Sequence, residues 1–406
     1  MPILVQKYGG SSVSNATKIK NVALRIAESK KEGNQLAIVL SAMGDSTDQL
    51  IELAKSITTA PEPRELDTLL STGELVSCTL MAMALRELGI AAISMSGAQA
   101  GIKTNTAHGR ASIVDLDAAR ILNILNSGTI AIVAGFQGIS EDMDITTLGR
   151  GGSDTTAVAL AAAINAARCE VYTDVDGIYT ADPRVVPKAR KIKEIGYEEM
   201  LELASYGAKM HPRSIELGAW YKVPILVAAS YETLPGTMIH AVNSEGNNME
   251  ITNKVSGVTY QKGIARITIR GIPDKPGIAA SVFTPLSNAN ISVDTIVQNA
   301  SAENLTDLSF TVDEKDLNTA LEVTQSVALT INATECTTRN QLGQVSIVGT
   351  GMQNEPGVAS TMFSTLSAAE VNIEMITTSQ IRITCIIDES QIDIATRVLH
   401  QAFGLD

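Results

Sequence analysis

The sequence predicts an α/β protein: a three-layer sandwich with a mostly parallel central sheet, followed by two smaller α+β domains. Three observations support this prediction. Roughly the first 240 residues alternate short apolar runs with amphipathic stretches, a polar, turn-rich segment follows at residues 243–248, and a duplicated segment fills the remainder. Alternating strands and helices are typical of a parallel sheet that is covered by helices on both faces.

The apolar runs of the N-terminal part have the length and composition of buried strands. Six strands are expected, at residues 3–6, 36–40, 91–95, 130–134, 171–173 and 225–229. Between the first two lies the clearest amphipathic helix, residues 15–31, with apolar residues at helical spacing on one face. Ligands of such folds bind at the carboxyl ends of the strands.

A repeat occupies the C-terminal part. Pro276-Gly277 recurs as Pro356-Gly357, 80 residues later. The first copy is expected to contain strands at residues 265–270, 290–291 and 307–312 and a helix at 278–287; the second, strands at 345–349, 372–373 and 381–387 and a helix at 358–368. A second helix closes each copy. Two copies indicate two paired small domains, because a solenoid needs at least three repeats.

Composition excludes several classes of function. The net charge of −13 and the pI near 4.9 argue against nucleic-acid and membrane partners, which attract positive surfaces. No run of about 18 uncharged apolar residues and no signal-peptide pattern at the N-terminus is present. The four cysteines are far apart and typical of reduced thiols, and the four histidines lack metal-ligand spacing. We therefore expect a cytoplasmic protein without a structural metal.

Two glycine-rich loops carry the residue types that phosphoryl transfer needs. Lys7-Tyr-Gly-Gly-Ser-Ser12 separates the first strand from the first helix, so backbone N–H groups, a helix N-terminus and a lysine can meet an anion. Gly149-Arg-Gly-Gly-Ser-Asp-Thr-Thr156 precedes a helix expected at residues 157–167, which Ser153 or Thr155 could cap. The alternative interpretation of each loop is a tight turn without function.

Two further segments fit a nucleotide and an amino-acid substrate. In the segment from Thr173 to Arg184, Asp174 and Asp176 could suggest a calcium loop, but Val185 replaces the required glutamate. It is interpreted instead as a nucleotide-binding loop. Glu74 could hold a substrate ammonium group. The sequence contains neither a P-loop motif nor a dinucleotide fingerprint, so both of those classes are excluded.

These loops, in this order, resemble aspartate kinase of the amino-acid kinase fold family. The matching motifs are Lys7-Tyr-Gly-Gly-Ser-Ser12, Ser41-Ala-Met-Gly44, Ser71-Thr-Gly-Glu74, Val133-Ala-Gly-Phe-Gln-Gly138, Thr147-Leu-Gly-Arg-Gly-Gly-Ser-Asp-Thr-Thr156 and Thr173-Asp-Val-Asp-Gly-Ile-Tyr-Thr-Ala-Asp-Pro-Arg184. The C-terminal repeats resemble a pair of ACT domains, amino-acid-sensing modules of βαββαβ order. The resemblance extends over essentially the whole chain.

The resemblance implies ATP-dependent phosphorylation of the β-carboxylate of L-aspartate, the first step of lysine, threonine and methionine biosynthesis. Lys7 and Asp154 would be catalytic. ATP, with Mg²⁺ on its β- and γ-phosphates, would bind Lys7, Tyr8, Gly9, Gly10, Ser41, Thr173, Asp174, Tyr179, Asp182, Arg184 and Lys209. Aspartate would bind Thr47, Glu74, Arg150, Gly151, Gly152 and Ser153. The magnesium ion is expected to have few direct protein ligands, and no metal-binding residue is predicted.

The resemblance also implies feedback inhibition by lysine, threonine or both. The effector would bind Asp274, Gly277, Ala279, Asp294, Gln298, Asn372, Ile373 and Ser379, with the second repeat contributing across an interface. The implied assembly is a homo-oligomer, or a heterotetramer with a regulatory chain that starts at Met249. Two departures from the family pattern are the single residue, Met210, between Lys209 and His211, and Gln380 where many relatives carry glutamate.

The expected domains are a kinase domain at residues 1–245, a linker at 246–263 and ACT domains at 264–340 and 341–406. Two alternative functions remain open at this point. The same fold could phosphorylate another acceptor, as acetylglutamate and uridylate kinases do. The chain could also be an amino-acid-binding regulator with an inactive kinase domain.

Overall fold

The computed structural model describes residues 1–205, 210–241, 254–300, 305–352 and 355–406. Lys209, Met249 and the predicted linker up to residue 253 lie outside the described residues. The chain divides into two compact units. The first comprises Met1–Tyr179 and Lys191–Met249, and the second comprises Thr180–Arg190 and Glu250–Asp406.

The first unit is built on an eight-stranded sheet. Its strands, with those of a smaller sheet, are β1 (Ile3–Tyr8), β2 (Gln35–Leu40), β3 (Ala92–Met95), β4 (Ile102–Thr104), β5 (Ile113–Leu116), β6 (Ile130–Ala134), β7 (Gln137–Ile139), β8 (Ile145–Thr147), β9 (Arg168–Thr173), β10 (Glu194–Gly196), β11 (Ile225–Ala229) and β12 (Thr237–His240). The large sheet has the order β10-β12-β11-β9-β1-β2-β6-β3, and the small one β5-β4-β7-β8. Among the strands of the large sheet that the structure describes, β11 and β12 pair antiparallel and the other neighbours pair parallel. The six predicted strands and the mostly parallel sheet are confirmed.

Helices cover both faces of the large sheet. They are α1 (Ala16–Lys31), α2 (Ser46–Ile57), α3 (Pro63–Glu87), α4 (Ala119–Asn126), α5 (Gly152–Ala163), α6 (Tyr197–Ser205) and α7 (Pro212–Tyr221). Leu36, Ile38 and Leu40 of β2 are fully buried in a core formed with α1 and α3. Burying each such side chain contributes roughly 1.5–3 kcal/mol. Because α5 packs on β1, β2 and β9 and every second strand residue points the other way, the result is the predicted three-layer arrangement.

The predicted helix at residues 15–31 is α1. Asn15 is its N-cap, and the side-chain oxygen of Asn15 accepts a hydrogen bond from the Lys18 N–H at 3.0 Å. The predicted apolar face, which includes Ile19, Val22 and Ile26, is buried. Propensity and tertiary packing therefore agree over this helix.

Helix α3 is the one described helix that is long and apolar enough to cross a membrane by length and composition alone, and half of its most apolar stretch is buried inside the unit. It also carries two buried carboxylates, Asp67 and Glu74. Partial burial of the apolar stretch is typical of a core helix, whereas burial of a carboxylate is costly wherever its oxygens are not hydrogen-bonded.

The second unit contains one continuous six-stranded sheet. Its elements are β13 (Gly257–Pro273), α8 (Ile278–Asn288), β14 (Ile296–Ala300), β15 (Leu305–Asp313), α9 (Leu317–Thr330), β16 (Glu335–Val348), α10 (Val358–Ala368), β17 (Met375–Thr378), β18 (Arg382–Asp388) and α11 (Ile392–Ala402). The strand order is β14-β15-β13-β16-β18-β17. Each repeat has its own hydrophobic core, one on α8 and α9 and the other on α10 and α11.

The two long strands, β13 and β16, are shared between the repeats. The first part of β16 pairs with the part of β13 that belongs to the first repeat, which gives that repeat the βαββαβ order. The start of β13, from Gly257 to Gln261, pairs with the end of β16 in the second repeat. The predicted linker at 246–263 therefore includes strand residues from Gly257 onward.

Three local predictions were wrong. The short strands expected at Asn290-Ile291 and Asn372-Ile373 are absent from the described structure: Asn290 has a left-handed φ of 58° just after α8, and Glu370 one of 57° just after α10. The next strands of the two repeats, β14 and β17, begin at Ile296 and Met375. The helix expected at 157–167 begins at Gly152, and its N-cap is Gly151 with φ +68°, so neither Ser153 nor Thr155 caps it. Lys7 lies within β1 rather than after it.

Candidate active site and effector site

The loops predicted to carry chemistry meet at one edge of the large sheet. Strands β9, β1, β2 and β6 are neighbours and parallel, so their carboxyl ends lie side by side. Gly9 and Gly10 follow β1, Ser41 follows β2, Gly135 follows β6, and Asp174 follows β9. This edge is where ligands bind in open α/β sheets.

Lys7 and Asp154 form an ion pair at this edge. Lys7 Nζ lies 2.5 Å from Asp154 Oδ1, and the two side chains are only 10% and 11% exposed. Asp154 stands in the first turn of α5, where backbone N–H groups and the helix dipole favour negative charge. The pair thus places an ammonium group, held by a carboxylate, beside the glycine loop.

At Gly10 the glycine loop approaches the neighbouring loop closely enough to exclude a side chain. A Cβ atom on Gly10 would lie 2.7 Å from the Ala42 carbonyl oxygen, and one on Gly9 would lie 3.6 Å from Lys7 Nζ. The Gly44 N–H donates to the Gly10 carbonyl at 3.0 Å. An open backbone next to a lysine fits the phosphates of a nucleotide.

Glu74 points into the same region from the middle of α3. Its Oε1 accepts a hydrogen bond from the Ala42 N–H at 3.2 Å, whereas its Oε2 is buried with no hydrogen-bond partner in the described structure. The residue is 3% exposed. Burial raises the pKa of Glu74 to about 7, against the opposing effect of backbone hydrogen bonds. An unpaired buried carboxylate oxygen is a ready acceptor for an ammonium group.

The loop before α5 is fixed by glycine geometry. At Gly151 a Cβ would lie 2.3 Å from His211 Cγ, in addition to the left-handed φ of +68°. Ser153 is buried, with its hydroxyl 2.7 Å from the place a Cβ on Gly135 would take. Arg150, by contrast, is exposed, and Thr47 near the start of α2 is half-buried. The exposed Arg150 side chain therefore extends from a loop whose backbone is tightly packed.

The predicted nucleotide loop is divided between the two units. In the first unit, Thr173 Oγ1 donates to Asp174 Oδ1 at 3.1 Å, and Tyr179 and Lys191 both bond to the Asp176 carboxylate. Burial acts to raise the pKa of Asp176, but these two hydrogen bonds leave it below its usual value.

Two of the predicted nucleotide ligands lie in the second unit. There, Asp182 pairs with Arg184 at 2.7 Å and accepts a hydrogen bond from the Tyr260 hydroxyl at 3.1 Å. Arg184 holds the pKa of Asp182 below its usual value. Both residues therefore have protein partners of their own, and their contact with ATP stays a prediction.

Several of the predicted effector residues lie at turns of the repeats, and others lie within α8 and β14. Gly277 and Gly357 occupy equivalent N-caps of α8 and α10, with φ of +91° and +106°. Asp274 and Asp294 are exposed, and Asp294 Oδ2 accepts from Gln344 Nε2 at 3.4 Å. The remaining members are Ala279 in α8, Gln298 in β14, Ser379 in the turn between β17 and β18, and Asn372 and Ile373, which line an open groove with Phe363 and Glu370.

One ordering residue was missed by the sequence patterns. The guanidinium group of Arg25 lies 4.1 Å from the Tyr172 ring centroid, and it donates to the carbonyls of Ala229 and Glu232 at 3.1 and 2.7 Å. It orders the loop that follows β11. The sequence could show only that α1 has a cation next to its buried face. The hydrogen-bond partners of Arg25 are backbone carbonyl groups more than 200 residues away, which no sequence motif marks.

Comparison with known proteins identifies the family of the chain. The family model of the amino acid kinase family matches residues 2–229, and an ACT domain model matches residues 267–326 and 345–403. Aspartokinase of Corynebacterium glutamicum is 48% identical over 409 residues, covering 100% of this chain and 97% of that protein. Aspartate kinase Ask_LysC of Stutzerimonas stutzeri is 46% identical over 407 residues, with 100% and 98% covered.

The chain belongs to the aspartate kinase family.

Solved structures support the same family. E. coli aspartokinase III in complex with aspartate and ADP, described as the R-state, matches with a TM-score of 0.82 at 27% identity, covering 98% of this chain and 99% of that one. The same enzyme in complex with lysine and aspartate, described as the T-state, matches with a TM-score of 0.77 at 26% identity, with 99% of both chains covered. The segment that matches the kinase family model contains Lys7, Glu74 and Asp154. The segments that match the ACT domain model contain Asp274 and Asn372.

Proposed function

We propose that the protein transfers the γ-phosphoryl group of ATP to the β-carboxylate of L-aspartate, forming 4-phospho-L-aspartate. The observation that carries this proposal is the meeting of the Lys7–Asp154 pair and the unpaired Glu74 oxygen at neighbouring strand ends. Membership of the aspartate kinase family supports it, as does the E. coli relative solved with aspartate and ADP.

In the proposed reaction, a β-carboxylate oxygen attacks the γ-phosphorus and the bond to the bridging oxygen of ADP breaks. No general base is needed, because the attacking carboxylate is already ionised at pH 7. Lys7 would neutralise charge on the transferring group, and Asp154 would hold the Lys7 ammonium in place. Rate enhancement would come from alignment and charge neutralisation.

The substrate would be held at its amino-acid end. Glu74 would take the ammonium group, because its free oxygen is buried and a positive partner removes the cost of that burial. Arg150 would take the α-carboxylate as a bidentate partner. Thr47 and Ser153 would add hydrogen bonds.

The nucleotide would lie against Gly9, Gly10 and Ser41, with Thr173, Asp174 and Tyr179 along its far side. Magnesium on the β- and γ-phosphates would neutralise negative charge. Among the residues that the structure describes, no group of three or more metal-ligating side chains exists, so we propose that the phosphates themselves hold most of the ion's ligand sphere.

The ACT repeats would sense lysine, threonine or both. Turn N–H groups at Gly277 would take the effector carboxylate, and Asp274 its ammonium group. The E. coli relative solved with lysine supports an amino-acid effector. We further propose that the ACT domains pair between chains in an oligomer, and that the enzyme acts in the cytoplasm at the start of lysine, threonine and methionine biosynthesis.

The direct test is a hydroxamate assay on the full chain with magnesium, in which hydroxylamine traps the acyl phosphate. We expect a signal that requires both ATP and L-aspartate. A signal with N-acetylglutamate but not aspartate would move the function to another carboxylate kinase. The absence of transfer to any carboxylate from folded protein would favour an inactive kinase domain that serves as a regulator.

The regulatory proposal is tested by titrating lysine and threonine, alone and together, into the same assay. We expect activity to fall, and Asp274→Ala to raise the inhibitory concentration about tenfold or more by removing a charged hydrogen bond without changing uninhibited activity. Glu322→Ala, which removes an exposed acid on α9, is the matched control and should leave inhibition unchanged. Activity insensitive to both amino acids would contradict the proposal.

A further inference from the structure

A second buried carboxylate lies on α3, seven residues before Glu74. Asp67 is 1% exposed, and its two oxygens accept hydrogen bonds from two separate segments of the chain, residues 108–109 and the last residue of β8. The bonds come from the Gly109 N–H at 3.0 and 3.1 Å, the Thr147 N–H at 3.0 Å, the Thr147 hydroxyl at 2.6 Å and His108 Nδ1 at 3.0 Å. A carboxylate this deeply buried is retained only where such donors replace its water.

The two segments that Asp67 joins lie next to the loop of Arg150, the residue predicted to bind the α-carboxylate of the substrate. Thr147 ends β8, three residues before Arg150. The Ala111 N–H donates to the Thr147 carbonyl at 2.8 Å, and a Cβ on Gly149 would lie 3.1 Å from the Gly109 carbonyl oxygen. Asp67 therefore anchors the base from which the Arg150 loop extends.

Helix α3 thereby touches both ends of the proposed substrate site. Residues seven apart lie on the same face, two turns or about 10 Å along the helix axis. Glu74 acts at one end directly, and Asp67 acts at the other through the loop. The rigid helix sets the separation between the two groups.

We propose that Asp67 is a positioning residue that fixes Arg150 relative to Glu74, and so determines how tightly the enzyme binds the α-carboxylate of an α-amino acid. This inference rests on the proposed function of Arg150 and Glu74. The competing explanation is that Asp67 only stabilises the fold. The two explanations differ in which kinetic constants change.

The main variant is Asp67→Asn, which keeps the size of the side chain but offers a donor where Thr147 and Gly109 also donate. We expect the KM for aspartate to rise about 10- to 100-fold, the value of the hydrogen bond between charged groups that Arg150 would make with the α-carboxylate. The KM for ATP should stay within about twofold, because Gly9 and Gly10 do not touch Asp67. In an Arg150→Ala background, Asp67→Asn should add no further change in the KM for aspartate, because the residue acts through Arg150.

Two substitutions at Thr147 are less disruptive than Asp67→Asn and test the proposal even if the Asp67 variant does not fold. Thr147→Val removes one of the bonds to Asp67 and should raise the KM for aspartate, whereas Thr147→Ser keeps the hydroxyl and should restore it. The matched control is Thr146→Val. Thr146 is the preceding residue in β8 and is equally buried. Its hydroxyl forms a hydrogen bond with the Thr104 hydroxyl at 2.5 Å rather than with Asp67. It should reduce thermal stability without changing the KM for aspartate.

The outcomes separate this inference from the proposed function. If the unaltered enzyme shows no aspartate-dependent signal, the proposed function fails. If the unaltered enzyme is active, but Asp67→Asn or Thr147→Val leaves the KM for aspartate unchanged or alters the constants for aspartate and ATP alike, Asp67 is a structural residue only. An additive effect in the Arg150→Ala background would also overturn the proposal.

Discussion

Replacing Lys7 or Asp154 by alanine is expected to lower kcat about a thousandfold or more, as found when a charged group that stabilises a phosphoryl-transfer transition state is removed. The reason is that a single ammonium group, 2.5 Å from Asp154 and only a tenth exposed, would face the developing negative charge. Steady-state hydroxamate kinetics at saturating ATP and aspartate measure the effect.

The double variant distinguishes a catalytic pair from two independent residues. If Asp154 works by holding the ammonium group, the Lys7→Ala/Asp154→Ala enzyme should be little slower than either single variant. Removing one partner of a nearly buried pair also destabilises the fold, so thermal unfolding must first show that each variant is native at the assay temperature.

An exposed ion pair in the same unit provides the control. Lys103 and Asp115 lie 2.8 Å apart with side chains 57% and 58% exposed, and water and salt screen such exposed pairs so that they contribute little to stability. Lys103→Ala should therefore change neither kcat nor stability appreciably. Normal kcat in folded Lys7→Ala and Asp154→Ala enzymes would remove both residues from the catalytic site.

The central sheet could be predicted because each of its strands and helices has a pattern that is visible within a short segment of the sequence. Buried parallel strands such as β2 and β6 are continuous apolar runs, since both of their faces are covered. Helix α1 has one apolar face and a capping asparagine, so its start and its orientation follow from the sequence. The repeat predicted the second unit, because in both copies a Pro-Gly turn precedes a helix of similar sequence.

Helix α3 could not be predicted in the same way. Its apolar residues lie on two sides: Met81 and Leu85 are buried, while Val76 and Met83 are more than half exposed. The helical period is therefore blurred. Ends of elements also escaped prediction where a left-handed residue, such as Asn290, decides where pairing resumes.

The same distinction applies to the candidate site: residues within one local motif could be predicted, and residues with distant partners could not. Glycines and charged groups that meet within one loop, as around Arg150, form a recognisable local pattern. Asp67 and Arg25 act on backbone groups 42 to 207 residues away. Backbone N–H and carbonyl groups are the same at every position, so nothing in the sequence marks these partners. Only the folded structure identifies such residues.

Glu74→Gln is expected to weaken aspartate binding and to stabilise the substrate-free protein. The neutral glutamine can still accept a hydrogen bond from the ammonium group but cannot form an ion pair with it, so the KM for aspartate should rise roughly 10- to 100-fold, the value of a hydrogen bond between charged groups. The gain in stability follows from removing a carboxylate that is 3% exposed and has one unpaired oxygen.

The pH dependence gives the sign of the stability effect. The pKa of Glu74 is raised from 4.5 to about 7, so the folded protein binds this proton more tightly than the unfolded chain does. Stability from this group is fully present below pH 4.5 and is lost as the pH rises through 7, a change of about 3 kcal/mol. Glu74→Gln lacks this titration and should unfold at a temperature several degrees higher than the unaltered protein at pH 8, but not at pH 4.5.

Substrate binding should follow the same titration in the opposite direction. Below pH 7 the protonated Glu74 cannot attract the ammonium group, so the KM for aspartate of the unaltered enzyme should rise as the pH falls from 8 to 6, while that of Glu74→Gln should lack this rise. Glu87→Gln, on the exposed end of the same helix, should show the unaltered profile in both measurements. A Glu74→Gln protein no more stable at pH 8, with an unchanged KM for aspartate, would mean that Glu74 neither carries a buried charge nor meets the substrate. A stability gain without a change in KM would instead separate the two roles, because burial alone, with no ammonium partner, produces the first effect but not the second.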